Sequence, residues 1–451
     1  MRKEGSPEPT ELVELPTDDP STLIEGSIVL GVPEAYGQTD RDALAQYVQM
    51  FCGLFPNVNV ETRIVSSAGA ALKAEAGTPE YADVVFFPGE ETFEYAYVDH
   101  TLLPLNTLVD AAGGADDIHS GVYESCTVNN VLYALGTNCD PFMLIYNQSV
   151  VEAEARNFTD KIYNGLTFSE FREVCRYLTS SHQIGAQLEF NSEPLILSLL
   201  QVSSESSIKS WANVEKCKVS FGRNAAVQEL YDLVDCYIEG CILPSADVFD
   251  NINPYSIFDN PVSTAFERGT PVVFRAALLS ELGAIAAEFD KNGHEWNVAP
   301  FPLTSLNGVN SGTAVATDCF GIRANTSDPA AASAFVLFAW TEAGQSVLNS
   351  ARGTLPALLT LSVELFLDNV RVVNTSGKNF AACIPAKDRS VPAYFSCYVP
   401  PEAAEYMRSA FPLMPGKAIL GLMPMADSLS KLETMATQNY WVSIYYDYTG
   451  K

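Results

Sequence analysis

The chain has 451 residues, with 26 Lys and Arg against 55 Asp and Glu, a formal net charge of −29. With 47% hydrophobic and only 18% charged residues it can bury a large apolar core, which excludes intrinsic disorder. A balance this acidic argues against nucleic acid and against anionic lipid, both of which need Lys and Arg. At about 150 residues per domain, the length predicts two to three domains or two large lobes.

No stretch approaches the about 20 consecutive apolar residues of a membrane span. The first 27 residues, MRKEGSPEPTELVELPTDDPSTLIEGS, are rich in Pro, Ser, Thr, Glu and Asp and read as a flexible tether without a signal-peptide pattern. Ser27 to Val32 is a short apolar run that predicts a buried strand leading into a loop at Pro33 to Gly37. Asp40 to Phe55 places Leu44, Tyr47, Val48, Phe51 and Leu54 at helical spacing. Strands are expected again at Val58 to Val65 and Ala82 to Phe87. This alternation predicts an α/β fold with mainly parallel sheets, in which ligands sit beyond the carboxyl ends of the strands. Glu34, Tyr36, Gly89 and Glu90 occupy such positions.

The middle reads as mostly helical. Thr167-Phe-Ser-Glu170 has the spacing of a capping box and predicts a helix through Thr179. Helices are also expected at 193–204 and 224–240, and strands at Pro271 to Arg275 and Trp296 to Pro300. Asp328 to Ser350 reads as one amphipathic helix. Trp296 and Trp340 fall within expected elements and read as core, which leaves Tyr36 as the favoured aromatic for a ligand platform.

The motifs of common catalytic classes are missing. Neither GxxxxGK[ST] nor a GxGxxG after a strand occurs, and there is no GxSxG or HExxH. His100, His119, His182 and His294 are far apart, and the ten Cys contain no CxxC pair, so neither a metal nor a cofactor is expected. An even Cys count permits disulfides in an exported protein, although sequence alone assigns no pairs. Asn147, Asn157, Asn325 and Asn374 head N-x-S/T triplets, which accept glycans only in a eukaryotic secretory setting.

The order of segments resembles the sugar-type extracellular solute-binding proteins of ABC importers. FCGLFPNVNV (Phe51 to Val60), YADVVFF, His100 to Leu105, Tyr133 to Asn147 and Leu166 to Phe171 each match a family element, in the correct order. The most specific match is AASAFVLFAWTEAGQSVLNSARGTLP, Ala331 to Pro356. The resemblance implies a two-lobed periplasmic-binding-protein-like fold of type II, each lobe a mainly parallel sheet flanked by helices. Residues 28–138 and 299–355 would form lobe 1, and 139–298 with 356–451 lobe 2. It implies a monomer that captures a small polar solute, a sugar or oligosaccharide, in an interlobe cleft and delivers it to an ABC permease. Such a protein is extracellular or periplasmic, and the tether would hold it to the membrane. Glu34, Tyr36, Gly89, Glu90, Asn138, Asp140, Arg275 and Asp318 map onto the ligand positions.

Two departures stand out. Arg275 to Glu281 lacks the Gly and Trp that the family often places there, and Gly136 stands where a proline is usual. The sequence also resembles thiaminase I, an enzyme with a cleft cysteine nucleophile. Cys139 would be the nucleophile and Glu281 its acidic partner, although ungapped alignment puts Asp140 at the nucleophile position.

Overall fold

The computed structural model describes residues 23–200, 211–221, 227–244, 271–302, 305–306, 309–310, 312–361, 377–386 and 388–444. Most of the expected tether and the Asn374 triplet lie outside them. The principal elements run in chain order as follows. First come β1 (Gly26–Pro33), α1 (Gln38–Leu54), β2 (Val58–Val65), β3 (Val84–Pro88), β4 (Ala134–Gly136) and β5 (Asn138–Asn147). Then follow α2 (Phe168–Leu178), β6 (Ile184–Gln187), α3 (Gln228–Glu239), β7 (Ile242–Leu243), β8 (Val272–Leu278), β9 (Trp296–Pro300) and β10 (Thr313–Ala316). The last are β11 (Asp318–Ile322), α4 (Pro329–Phe338), α5 (Glu342–Arg352), β12 (Leu355–Pro356) and β13 (Ser390–Pro392).

The described chain forms two compact units. The first takes the residues up to Asp140 and those from Ala316 to 361; the second takes Pro141 to Val315 and the remainder. The boundaries depart from those expected. The chain leaves the first unit after Asp140 rather than 138, and returns at Ala316 rather than 299. The second shift has a clear cause: β9 pairs antiparallel with β5, Trp296 opposite Asn147 and Pro300 opposite Met143, inside the second unit. Nor does the first unit end at 355. Leu355 pairs with Cys139 in β12 and β5, and the Leu359 amide donates to the Asp117 carbonyl at 2.8 Å.

The first unit is built on a five-stranded sheet of order β2-β1-β3-β11-β4. β1 runs parallel to β2 and to β3, whereas β11 is antiparallel to both of its neighbours. A cluster of rings fills its core. Tyr47 lies 5.3 Å from Phe320 and 5.1 Å from Phe335, and Phe86 packs on Phe320 at 5.1 Å. The buried Tyr47 hydroxyl is satisfied by donating to the Phe335 carbonyl at 2.6 Å.

In the second unit β8 lies between β6, to which it is parallel, and β5, to which it is antiparallel. β7 extends the parallel part beyond β6. The capping box opens α2 as the sequence predicts: Thr167 Oγ1 accepts from the Glu170 amide at 3.2 Å, and Glu170 Oε2 accepts from the Thr167 amide at 3.0 Å.

The single helix expected over 328–350 is two helices. Thr341 caps α5, its hydroxyl accepting from the Gly344 amide at 3.1 Å and donating to the Phe338 carbonyl at 2.8 Å. The chain turns back so tightly there that a Cβ on Gly344 would stand 2.0 Å from the Phe338 oxygen. Apolar periodicity continues through the break and hides it. No helix among the described residues is long and apolar enough to cross a membrane.

Candidate functional site

The carboxyl ends of β1 and β3 and the start of β11 meet at one edge of the first unit's sheet, with Asp318 opposite Pro88 in the register. The loop after β1 brings Tyr36 there, and its hydroxyl donates to Asp318 Oδ1 at 2.7 Å. The Tyr36 ring rests on Phe86 at 4.8 Å. Asn138, at the start of β5, accepts from the Asp318 amide at 2.8 Å through its side-chain oxygen. Thr137 closes the backbone side, its amide donating to the Asp318 carbonyl at 2.7 Å and its hydroxyl at 2.9 Å.

Two residues that the sequence reading gave no role complete the cluster. The Arg352 guanidinium pairs through Nη2 with Asp318 Oδ2 and through Nε with Asp40 Oδ1, the latter at 2.8 Å. Its side chain is 8% exposed, against 17% for Asp318 and 25% for Asp40. Burial by itself would lower the Arg352 pKa, but the two carboxylates reverse this and hold it above its ordinary value. Burial, then the charge of Asp318 and the hydrogen bond to it, raise the Tyr36 phenol well above its ordinary value. Tyr36 therefore acts as a neutral donor. Arg352 also ends α5, where a cation meets the negative end of the helix dipole. An arginine in the last turn before Gly353, within an acidic chain, was the available signal.

The other expected residues are distributed as follows. Gly89 follows β3 and donates its amide to the Thr317 carbonyl at 2.7 Å, so its backbone abuts the residue before Asp318. Glu90 is half-buried one residue further on, and the buried Asp140 lies two along from Asn138 on β5. Glu34 is exposed, its backbone carbonyl accepting from Arg41 at 2.8 Å. The structure does not bring Arg275 to a strand end. β8 continues to Leu278, so Arg275 sits mid-strand opposite Ile145, and its guanidinium grips Glu288 at 2.6 and 3.1 Å.

The cysteine alternative finds no support. Cys139 is fully buried in β5, and burial, then the neighbouring Asp140, push its thiol well above the ordinary value. A nucleophilic cysteine needs the opposite, an accessible thiolate. Glu281 belongs to the second unit, where Oε2 accepts from the Leu278 amide at 3.1 Å.

A cavity of about 310 Å³ lies within the second unit, lined among others by Thr167, Glu170, Phe301 and Arg389. Thr167 and Glu170 already spend their polar atoms on the capping box and on Lys161.

Known proteins share this architecture closely, but not the sequence. No family model matches the chain, and no curated protein does. A sugar transporter protein of Rhizobium etli, solved in an open conformation, is 17% identical with a TM-score of 0.67, covering 91% of this chain and 99% of its own. The sugar-binding protein MalE of Xanthomonas citri is 16% identical with a TM-score of 0.66, covering 92% and 97%. A substrate-binding protein of Listeria monocytogenes, solved with cycloalternan, is 14% identical with a TM-score of 0.57, covering 92% and 99%. The chain thus has the two-lobed α/β fold of the ABC-type extracellular solute-binding proteins.

Proposed function

We propose that the protein is a solute-binding protein that captures a carbohydrate for an ABC importer and performs no chemistry on it. The observation that carries this reading is the fold itself, matched over 91% of the chain and 99% of a sugar transporter protein. The edge cluster is chemically suited to the task. Asp318 uses each carboxylate oxygen once, on Tyr36 and on Arg352, so lone pairs remain for ligand hydroxyls. One guanidinium against two carboxylates leaves the cluster net negative, which suits a neutral polyol better than an anion. Within this reading Tyr36, Asn138 and Asp318 contact the ligand, with Glu34, Gly89, Glu90 and Asp140 beside them. Arg275, occupied by Glu288, is left out.

The protein would work as an exported monomer, held to the membrane through its acidic N-terminal segment, and its partner would be an ABC permease. The test is thermal unfolding against linear and cyclic oligosaccharides, monosaccharides, amino acids and thiamine. A saturating ligand at about 100 times its Kd adds about 2.7 kcal/mol and raises Tm by several degrees. The reading expects this from one saccharide class, with the shift reduced in Asp318→Asn. A shift from amino acids alone, or turnover of thiamine, would overturn it.

A further inference from the structure

The second unit contains a cysteine arrangement that solute binding does not use. α3 ends in a Schellman turn: the Cys241 amide donates to the Cys236 carbonyl at 3.2 Å and the Gly240 amide to the Tyr237 carbonyl at 3.2 Å. This turn brings together the side chains of its first and last residues, usually as an apolar contact. Here both are cysteines, 0% and 3% exposed. Their sulfurs and a Glu239 carboxylate oxygen lie within 4.8 Å of one another.

We propose that Cys236 and Cys241 are joined by a disulfide under oxidising conditions, stapling the end of α3 to the start of β7. The Cα atoms of a bonded pair stand about 4.4–6.8 Å apart, and the six-residue Schellman turn already brings the two sulfurs within 4.8 Å of one another. The closure is local, so it requires only the turn and can form before the unit packs around it.

The surroundings favour this chemistry over metal binding. Glu239, the third group a cation would need, is gripped by Arg176 at 2.5 and 3.0 Å. Arg172 also hydrogen-bonds the Cys236 sulfur, so two guanidiniums crowd the place a dication would take. Within the packed unit Cys241 is held above its ordinary value by its hydrogen bond with Cys236 and by burial, while the same cations favour a Cys236 thiolate, the attacking form in thiol–disulfide exchange. The hydrogen bond from Cys241, and after it Arg172, lower that thiol from its ordinary value against the opposing effect of burial.

The oxidant is a small-molecule or protein disulfide. Before the unit packs around the turn, the Cys236 thiolate attacks one of its sulfurs, forming a mixed disulfide and releasing one thiol. The Cys241 thiolate then attacks the Cys236 sulfur, closing the loop and releasing the second thiol. Two electrons and two protons pass to the oxidant, which ends as two thiols.

The experiment uses the full chain refolded from denaturant in oxidised and reduced glutathione, then unfolded in the presence of N-ethylmaleimide and digested with trypsin. Arg223 and Arg268 bracket a peptide that holds Cys236 and Cys241 and no other cysteine. The expected peptide carries no label, weighs two hydrogens less than the dithiol, and takes two labels after reduction. Two labels without reduction would overturn the proposal. So would a cross-link to the Glu173–Arg176 peptide, which carries Cys175, or stoichiometric zinc with both thiols free. None of these outcomes bears on solute binding, because the loop contains none of the residues assigned to the ligand.

Discussion

Arg352→Met tests whether the edge cluster is held together by its one buried cation. The substitution keeps most of the side-chain volume and removes both ion pairs, to Asp318 and to Asp40. Breaking one member of a buried pair costs 3–5 kcal/mol, because the remaining charge is left in a poor solvent. Asp318 and Asp40 keep 17% and 25% of their side-chain exposure, so water relieves part of the penalty and the expectation is about 3 kcal/mol. For a unit of about 200 residues this lowers Tm by about 6–12 °C. Calorimetry is the suitable assay, because two units need not unfold together. Asp318→Asn in the Arg352→Met background removes one orphaned charge and should recover about 1–2 kcal/mol. A single-variant loss under about 1 kcal/mol, or a double variant weaker than the single, would refute the reasoning.

Other consequences are open to direct measurement. His119 is 1% exposed and its Nδ1 has no hydrogen-bond partner among the described residues. Burial lowers its pKa from 6.5 to about 4, against a small opposing effect of Asp117. Its stabilising contribution is therefore complete above pH 6.5 and lost as pH falls towards 4, about 3 kcal/mol in all. Urea titrations of the wild type and His119→Phe should diverge over that range and run parallel above it; parallel behaviour throughout would rule out the buried neutral ring. Gly344→Ala places a methyl 2.0 Å from the Phe338 oxygen, so it should cost about 1–3 kcal/mol, read as a fall in Tm. Cys139 should ignore a thiol reagent in the native protein and react only on unfolding, with Cys139→Ser leaving the sugar Kd within a few-fold. Under the proposed function Asp318→Asn should weaken that Kd about tenfold or more, roughly the value of a hydrogen bond to a charged group, whereas Arg275→Ala should leave it unchanged by calorimetric titration.

Local rules made much of the fold legible. Strands buried on both faces read as unbroken apolar runs, so Ser27 to Val32 and Ala82 to Phe87 announced β1 and β3. Thr167 and Glu170 announced the start of α2 through a reciprocal bond three residues long. What could not be read was set by distant partners. The expected boundary at 299 cuts through Trp296 to Pro300, and only the pairing of the whole strand with β5 shows that it stays in the second unit. Arg275 reads as the end of a strand facing the ligand, but the strand runs three residues further, to Leu278, than the expected end. Arg352 was missed because Asp318 lies 34 residues away and Asp40 lies 312 away. Tyr36 follows from the rule that ligands gather at strand ends, whereas Asn138 and Asp318 follow only from the family resemblance, and neither locates a hydrogen-bond network.

Under the proposed function, that network keeps an acidic group both fixed and available. The Asp318 main chain is held on both sides, its amide by Asn138 and its carbonyl by Thr137. Its side chain is held independently, one oxygen by Tyr36 and the other by Arg352. Rotation of the carboxylate would break two charge-assisted bonds at once, so little side-chain entropy is left for a ligand to remove. Tyr36, with its pKa raised, cannot release its proton near neutrality and so cannot change role. Arg352 is anchored by Asp40 as well, so a ligand that competes for Asp318 does not free the guanidinium to follow it. Tyr36→Phe separates these contributions: it removes one clamp and leaves every charge in place. If preorganisation is what the phenol provides, the loss should appear as a less favourable binding entropy with Arg352 still paired. A purely enthalpic loss would mean that the phenol acts through its own bond to the ligand rather than by fixing Asp318.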